Sequence, residues 1–569
     1  MKYKIEFQLD SRCNDILDTI QREKEEFVRI LERGLSVKKI TATSAHQDIV
    51  AKLSEGFARR LTKLQVAAVH HLLTVRHGAN FSVPGSGKTT IALAYYYLLR
   101  RKNLVDAVLV IGPGSCFEPW EHEYRICFGK KLNGVRLAGN NKARRHELCL
   151  LADQYEFLLT TYHSAARDVG DLSRTLSRRK YLLILDESHY VKRPHGGKLV
   201  EAVLGLAEYA ERRVILTGTP MPNGLPDLWS QLTFLWFDQK PLGLAEDFLR
   251  DVQRKETHKA VASVRRRISP LFFRITKSQL DLPRPSFKNI KCQMSPLQLR
   301  IYSGIAARFL TQVKESPVNR EVLRDWRRAR AVRLLQVASN PTLLRQRCEE
   351  FQLPAMDIRG LALQEAIEHY AQYEIPNKIS AACSLAREIC GRGEKVIIWS
   401  TFVHNLEMLA NQVNDLSPVV VHGGVPVTAL AEEDFSREVL ISKFRDDRSC
   451  KVLIANPAAC AESISLHSVC HHAIYLDRSF NCAHYLQSLD RIHRLGLSEK
   501  QETYYYLLQS RDSIDEVVDS RLKKKMRTMK DVIEADLPGK IPGYWSEDLG
   551  DEEEMDLQMV EQHIKSLRK

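Results

Sequence analysis

The stretch NFSVPGSGKTTIALA, residues 80–94, reads as a strand end, a glycine-bearing turn and the opening of a helix. Backbone N–H groups converge on phosphate oxygens only where no Cβ intervenes, and Gly85 and Gly87 provide that. The segment Pro84-Gly85-Ser86-Gly87-Lys88-Thr89-Thr90 is therefore a candidate nucleotide cradle. Lys88 would neutralise the β and γ phosphates, and Thr89 would ligate Mg²⁺. The apolar run TIALAYYYLL continues as a helix whose N-terminus faces the anion. A strict phosphate-loop pattern begins with glycine; Ser82 stands there, so only the shorter small–x–x–Gly–x–Gly–Lys–Thr form is met.

A second motif fits the first. Asp186-Glu187-Ser188-His189 closes the apolar run YLLILDES, so its carboxylates project from the carboxyl end of a strand, where ligands bind in α/β sheets. Asp186 would hold Mg²⁺ through water, and Glu187 would orient or deprotonate the attacking water. ATP and Mg²⁺ are the implied cofactors.

Around these motifs the chain alternates short apolar runs with longer helical patterns. The strand candidates are 107–113, 155–161, 181–188 and 212–220, then 395–402, 418–424, 450–457, 471–479 and 503–510. Near-continuous apolar strands suit parallel sheets covered on both faces. The expected fold class is α/β: two tandem RecA-like parallel-sheet lobes with a helical linker and small terminal extensions. The expected divisions are a strand-plus-helix accessory segment (1–55), an ATP-binding lobe (56–275), a helical linker or protrusion (276–375), a second lobe (376–515) and a helical, acidic tail (516–569).

Composition narrows the class. A net charge of +14 suits a polyanionic partner. No apolar run approaches the roughly 20 residues that cross a bilayer, and MKYKIEFQLDSRCNDIL lacks the pattern of a secretory signal. Twelve cysteines without a CxxC pair read as reduced thiols of a cytoplasmic protein. His467, Cys470, His471 and His472 invite a zinc reading, but their spacing matches no common structural finger, and ordinary packing is expected.

With both motifs in hand, the chain resembles the Swi/Snf family of helicase superfamily two over about residues 60–510. The resemblance rests further on IGPGSCFEPWEHE (Pro113, Trp120–Glu123), LTGTPMPN (216–223), LFFRITKSQLDLP (271–283), RLLQVASNPTLL (333–344), the 377–402 opening of the second lobe, and YLQSLDRIHRLGL (485–497). It implies that Gln65 reads adenine, that Gln487 joins the nucleotide site, and that Arg491 and Arg494 reach the triphosphate when the lobes close. An arginine finger contributes roughly 10³–10⁵-fold in rate. One departure is plain: Ala461 and Ser463 stand where the family's fifth motif carries glycine.

The resemblance also implies double-stranded DNA tracked along its phosphates. Candidate contacts are Thr161, Tyr162, Arg265 and Arg266 in the first lobe, Trp399, Ser400, Thr401 and Ser463 in the second, and the arginines of 324–333 between them. The expected setting is a cytoplasmic, nucleoid-associated prokaryotic motor working with protein partners, a nuclease or another effector, in DNA handling or phage defence. The 1–55 segment and the acidic tail are the expected docking surfaces. Alternatives are an RNA-polymerase-recycling motor, an unwinding helicase, and a DNA-binding module switched by nucleotide without net movement.

Overall fold

In the computed structural model the chain forms two compact units, Met1–Met221 with Leu225–Thr276, and Pro222–Gly224 with Lys277–Lys569. The structure describes residues 11–38, 44–191, 197–221, 226–280, 282–313, 331–345, 357–425, 436–460, 466–498, 501–533 and 559–565, except 138, 140, 246, 249–256, 359–360, 495 and 561.

The first unit is built on seven strands: β1 (Gly78–Asn80), β2 (Ala107–Gly112), β3 (Gly134–Leu137), β4 (Phe157–Thr161), β5 (Tyr181–Asp186), β6 (Arg212–Leu216) and β7 (Phe272–Phe273). Their order is β3-β4-β2-β5-β6-β1-β7, and every pairing is parallel. Every residue of β2 is buried, as expected of a strand covered by helices on both faces. The helices used below are α1 (Ser11–Lys38), α2 (Ser44–Ser54), α3 (Lys63–Val75), α4 (Lys88–Arg101), α5 (Phe117–Phe128), α6 (Lys142–Leu150) and α7 (Tyr162–Arg167). Since all seven strands run the same way, the loops after β1, β2, β4, β5 and β6 open onto one rim.

The accessory segment is helical wherever it is described, as α1 and α2, so the strand expected in the first 55 residues has no counterpart among the described residues. The second half of α1 packs into the first unit. Phe27 lies against Trp236 with ring centroids 4.7 Å apart, and the Lys38 ammonium sits 3.9 Å above the Phe272 ring. At Gly34 a Cβ would meet the Pro270 carbonyl oxygen at 2.4 Å, so only glycine allows this approach.

The second unit has six parallel strands in the order β12-β13-β11-β14-β15-β8. They are β8 (Ser286–Cys292), β11 (Val396–Trp399), β12 (Val419–Val421), β13 (Val452–Ala455), β14 (His472–Tyr475) and β15 (Tyr504–Ser510), with a separate hairpin β9 (Asp357–Ile358) and β10 (Leu361–Ala362). The expected linker is where the structure departs from the sequence reading. β8 pairs with β15 from Ser286↔Tyr504 to Cys292↔Ser510, and Ile301, Leu334 and Tyr370 share one core with Ile397 and Trp399. The 276–375 segment thus supplies an edge strand and part of the second core. Lys288, Asn289 and Lys291 point β8 toward solvent, as edge strands do, and this hid the strand from an apolar-run reading.

Val560 and Ile564 are buried in the core that holds Val517 and Leu522, while the acidic 547–556 run lies outside the described residues. Ten of the described cysteines are in no disulfide. No described helix is long and apolar enough to cross a membrane.

Candidate active site

The phosphate loop leaves the sheet at Asn80, whose side-chain oxygen accepts the Ser82 N–H at 3.1 Å. Gly85 and Gly87 hold φ of 80° and 84°, the left-handed region that disfavours any side chain. At Gly87 a Cβ would also lie 2.4 Å from Gln65 Nε2. Ser82, the departure from the strict pattern, has a use here. Its hydroxyl accepts the Ile275 N–H at 2.9 Å and its carbonyl accepts the Lys88 ammonium at 3.2 Å. Arg274 donates to the Phe81 carbonyl at 2.5 Å, so the segment after β7 braces the loop from one side. From the other side, a Cβ on Gly218 would meet Pro84 Cδ at 2.5 Å, and Thr217 donates its N–H to the Asn80 carbonyl at 3.2 Å.

Gln65 is buried beside the phosphate loop. Its side-chain oxygen accepts the Thr62 N–H at 3.0 Å, closing a capping box at the start of α3, and its nitrogen donates to the Ser86 carbonyl at 3.0 Å. The amide ties α3 to the phosphate loop. Thr89 is half-exposed in the first turn of α4. Thr90 turns away from the loop: its hydroxyl donates to Glu123 at 2.5 Å, and Arg59 holds the same carboxylate at 2.7 and 2.8 Å. Ser86 is buried, and its hydroxyl has no hydrogen-bond partner.

Asp186 ends β5 on this rim. Its Oδ2 accepts the Trp120 indole N–H at 2.8 Å and its Oδ1 accepts the Glu187 N–H at 2.9 Å. Burial first, and the Glu187 charge second, raise the Asp186 carboxyl above the usual range, against the Trp120 bond and the attraction of Lys88. A half-buried carboxylate pair beside a lysine is an environment that a hard cation would relieve, and hydroxyl and carboxylate oxygens are the donors Mg²⁺ takes. Thr89 and Asp186 therefore fit that ion. Glu187 has a left-handed backbone (φ 50°), and its Oε2 lies 3.2 Å from His189 Nδ1, which also approaches the Thr217 hydroxyl at 3.3 Å. Ser188 donates to Gln231 at 2.8 Å, joining the turn to the helix Asp227–Leu235.

In the second unit, Gln487 and Arg491 are buried and Arg494 is half-buried. Arg491 Nε donates to the Gln487 carbonyl at 2.9 Å, and its own carbonyl accepts the Leu466 N–H at 3.0 Å. The Asp490 carboxylate beside it pairs with Lys277, and His493 bonds the Pro283 carbonyl at 2.7 Å. These bonds fix the sixth-motif turn within its own unit.

The expected nucleic-acid contacts divide. Arg266 is exposed and Arg265 half-buried at the end of the helix Thr257–Ile268, and Thr161 is half-exposed, capping α7 through the Ser164 N–H at 3.1 Å. Tyr162 is buried, and its hydroxyl donates to the Asp186 carbonyl at 2.8 Å. Trp399 and Ser400 are 1% and 0% exposed, so neither presents a side chain to a polyanion. The Ser400 hydroxyl donates to Asp477 at 2.7 Å, and the half-exposed Thr401 gives its N–H to the same carboxylate at 2.6 Å. Ser463, Ala461 and the arginines of 324–330 lie outside the described residues.

The His–Cys cluster is packing. Cys470 Sγ approaches the Lys395 carbonyl at 3.3 Å, burial pushes its thiol up to about 12, and His472 pairs with Glu394 at 3.0 Å and stacks on Tyr504. Among the described residues no group of three or more His, Cys, Asp or Glu could hold a metal. Sequence reasoning marked Ser82 only as a departure from the strict pattern and did not single out Arg274 or the Trp120–Asp186 bond. The one visible signal was an arginine set in the apolar run LFFRIT.

Comparison with known proteins identifies two domains in order along the chain. Residues 81–353 match the SNF2-related domain and residues 377–496 the helicase conserved C-terminal domain. The ATP-dependent helicase fft3 of Schizosaccharomyces pombe is 25% identical over 525 residues, covering 82% of this chain and 55% of the relative. The ATP-dependent helicase FUN30 of Saccharomyces cerevisiae is 25% identical over 508 residues, covering 78% and 44%. The chain thus spans about half the length of the curated relatives it matches. A solved Sulfolobus solfataricus SWI2/SNF2 ATPase core in complex with dsDNA is similar at 22% identity, with a TM-score of 0.38 over 89% of this chain and 97% of that one. With both domains in order on two parallel-sheet units, the chain belongs to the SNF2 family of helicase superfamily two ATPases.

Proposed function

We propose that this chain is an ATP-driven motor that moves on double-stranded DNA. The observation that carries the reading is one rim holding left-handed Gly85 and Gly87, Lys88, and the Asp186–Glu187 pair, whose buried charge calls for a cation. In this mechanism Lys88 neutralises the β and γ phosphates, and Glu187, oriented by His189, aligns the attacking water and takes its proton. Thr89 and Asp186 would hold Mg²⁺, which would supply charge neutralisation to the triphosphate. Arg491 and Arg494 are the proposed cations for the charge that develops on the γ phosphate, and Gln487 supports them. Exposed Arg266, half-exposed Thr161 and a net charge of +14 support a phosphate-backbone partner.

The deciding measurement is phosphate release with no nucleic acid, duplex DNA, single-stranded DNA and RNA. Stimulation by duplex, with displacement of a third strand from a triplex, is expected. Stimulation without displacement would instead favour a nucleotide-switched binding module.

We further propose that the motor serves a multi-subunit DNA-handling assembly, phage defence being one setting, in which a separate nuclease or other effector does the cutting. The first half of α1 exposes Ile16, Leu17 and Ile20 on one helical face, which supports a protein partner there. Recovery of the chain alone from its host under gentle conditions would count against this.

A further inference from the structure

Two side chains hold Asp186 from outside its own strand, and both come from helices that start on the rim. Trp120, on α5, donates its indole N–H to Asp186 Oδ2 at 2.8 Å. Tyr162, the first residue of α7, donates its hydroxyl to the Asp186 main-chain carbonyl at 2.8 Å and stacks on Tyr190 at 5.3 Å and 15°. Both side chains are buried, at 1% and 2% exposure, so neither works by touching a ligand. The loops that lead into the two helices are neighbours: a Cβ on Gly114 would sit 3.9 Å from Thr161 Cγ2. The end of β2 also runs close to Asp186, since a Cβ on Gly112 would lie 3.2 Å from Asp186 Cβ.

We propose that Trp120 and Tyr162 are positioning residues that set Asp186 and link its placement to α5 and α7, so that nucleic acid pressing on the loops after β2 and β4 changes hydrolysis through these two bonds. The inference rests on the proposed motor reading for its nucleic-acid half only. The chemistry favours a positioning role over simple packing. A buried indole N–H needs an acceptor, and here it takes one oxygen of a charged carboxylate, leaving the other lone pairs for metal-bound water. Tyr162 fixes the peptide that joins Asp186 to Glu187, whose left-handed backbone (φ 50°) makes that peptide's orientation decide where Glu187 points. A shift of α5 moves the carboxylate, and a shift of α7 moves the peptide.

The test uses the full chain with Trp120→Phe and Tyr162→Phe. Tyr96→Phe is the control, because it removes another buried hydroxyl bond, 2.7 Å to Glu156, away from Asp186. Three quantities are read: the gain in affinity for a fluorescent non-hydrolysable ATP analogue when Mg²⁺ replaces EDTA, the ratio of duplex-stimulated to basal turnover, and duplex affinity. Partners that orient a metal ligand typically matter by about 10–100-fold. Trp120→Phe should therefore cut the Mg²⁺-dependent gain by about tenfold. Tyr162→Phe should lower the stimulation ratio several-fold with duplex affinity unchanged, and Tyr96→Phe should leave all three at wild-type values. If both variants keep the wild-type Mg²⁺ gain and stimulation ratio and lose only thermal stability, the two residues are packing and the proposal is overturned. If the wild type itself is not stimulated by any nucleic acid, the motor reading fails, while the Mg²⁺ arm still decides whether Trp120 positions Asp186. Should Trp120→Phe not fold, Tyr162→Phe, which removes a single hydroxyl, decides the proposal.

Discussion

The carboxyl rims of the two sheets each carry an aspartate, one ending a central strand and the other two residues past one, and they treat it in opposite ways. In the first unit Asp186 accepts two bonds, and burial beside Glu187 leaves its charge in need of a cation. In the second unit Asp477, two residues past β14, accepts four. The Ser339 and Ser400 hydroxyls lie at 2.8 and 2.7 Å, the Thr401 N–H at 2.6 Å and the Asn405 amide at 3.3 Å. Asn456 extends the web to the Thr401 carbonyl at 2.7 Å. One rim stores unmet electrostatic demand and the other has spent it on bracing. A buried carboxylate by itself therefore says little; its donor set tells a ligand site from a strut.

The largest effect should come from the first rim. Lys88→Ala or Glu187→Gln should lower ATP turnover by about 10²–10⁴-fold with duplex binding retained, read by phosphate release and fluorescence anisotropy. Full turnover in Glu187→Gln would end the comparison. Next comes the second unit's cation. Arg491→Lys and Arg494→Ala should lower turnover by up to about 10³-fold while analogue binding survives, and loss of analogue binding instead would assign them to ground-state affinity.

A paired substitution then sharpens the contrast. Asp477→Ala strands several buried donors and should cost about 2–4 kcal/mol in denaturant unfolding of the second unit. Asp186→Asn relieves a disfavoured charge but leaves one of two N–H donors facing an amide nitrogen, so it should cost less stability than Asp477→Ala while turnover falls. Equal stability losses at the two sites would erase the distinction.

The smallest effect concerns pH. His71 is fully buried and its Nε2–H donates to the Pro270 carbonyl at 2.9 Å, and burial, then the Lys38 charge, lowers it to about 3. The unfolded chain binds a proton near pH 6.5 that the folded chain refuses. This contribution is therefore whole above about pH 6.5 and is lost as pH falls toward 3, at about 1.4 kcal/mol per pH unit. His71→Gln should flatten that slope in hydrogen exchange of the α3 and β1 amides. An unchanged slope would mean that other groups set the acid limit of the first unit.

Much of the fold was legible because it is written in local, repeated patterns. Each of the nine apolar runs contains a strand of a parallel sheet. The strands not singled out are the three-residue β1 and the edge strands β3, β7 and β8, together with the small β9–β10 hairpin. An edge strand is covered less completely, so its residues need not be apolar, and SFKNIKC shows this. The same limit governed the site. Lys88, Asp186 and Glu187 were readable because their chemistry needs them at short fixed spacings after a strand. Tyr162, Trp399 and Ser400 were misassigned as surface contacts because burial is decided by what packs over a residue.

The sequence by itself determined the phosphate loop, the acidic pair, the strand runs and the family, since spacing along the backbone is covalent. Only the tertiary structure decided that Gln65 caps α3, that Thr90 faces Glu123, that the 276–375 segment lends a strand to the second sheet, and that Trp120 and Tyr162 converge on Asp186. Apart from the local Thr62–Gln65 cap, those facts join residues 24 to 218 positions apart along the chain, and a hydrogen bond's worth is set by the donor that reaches it and the water kept out.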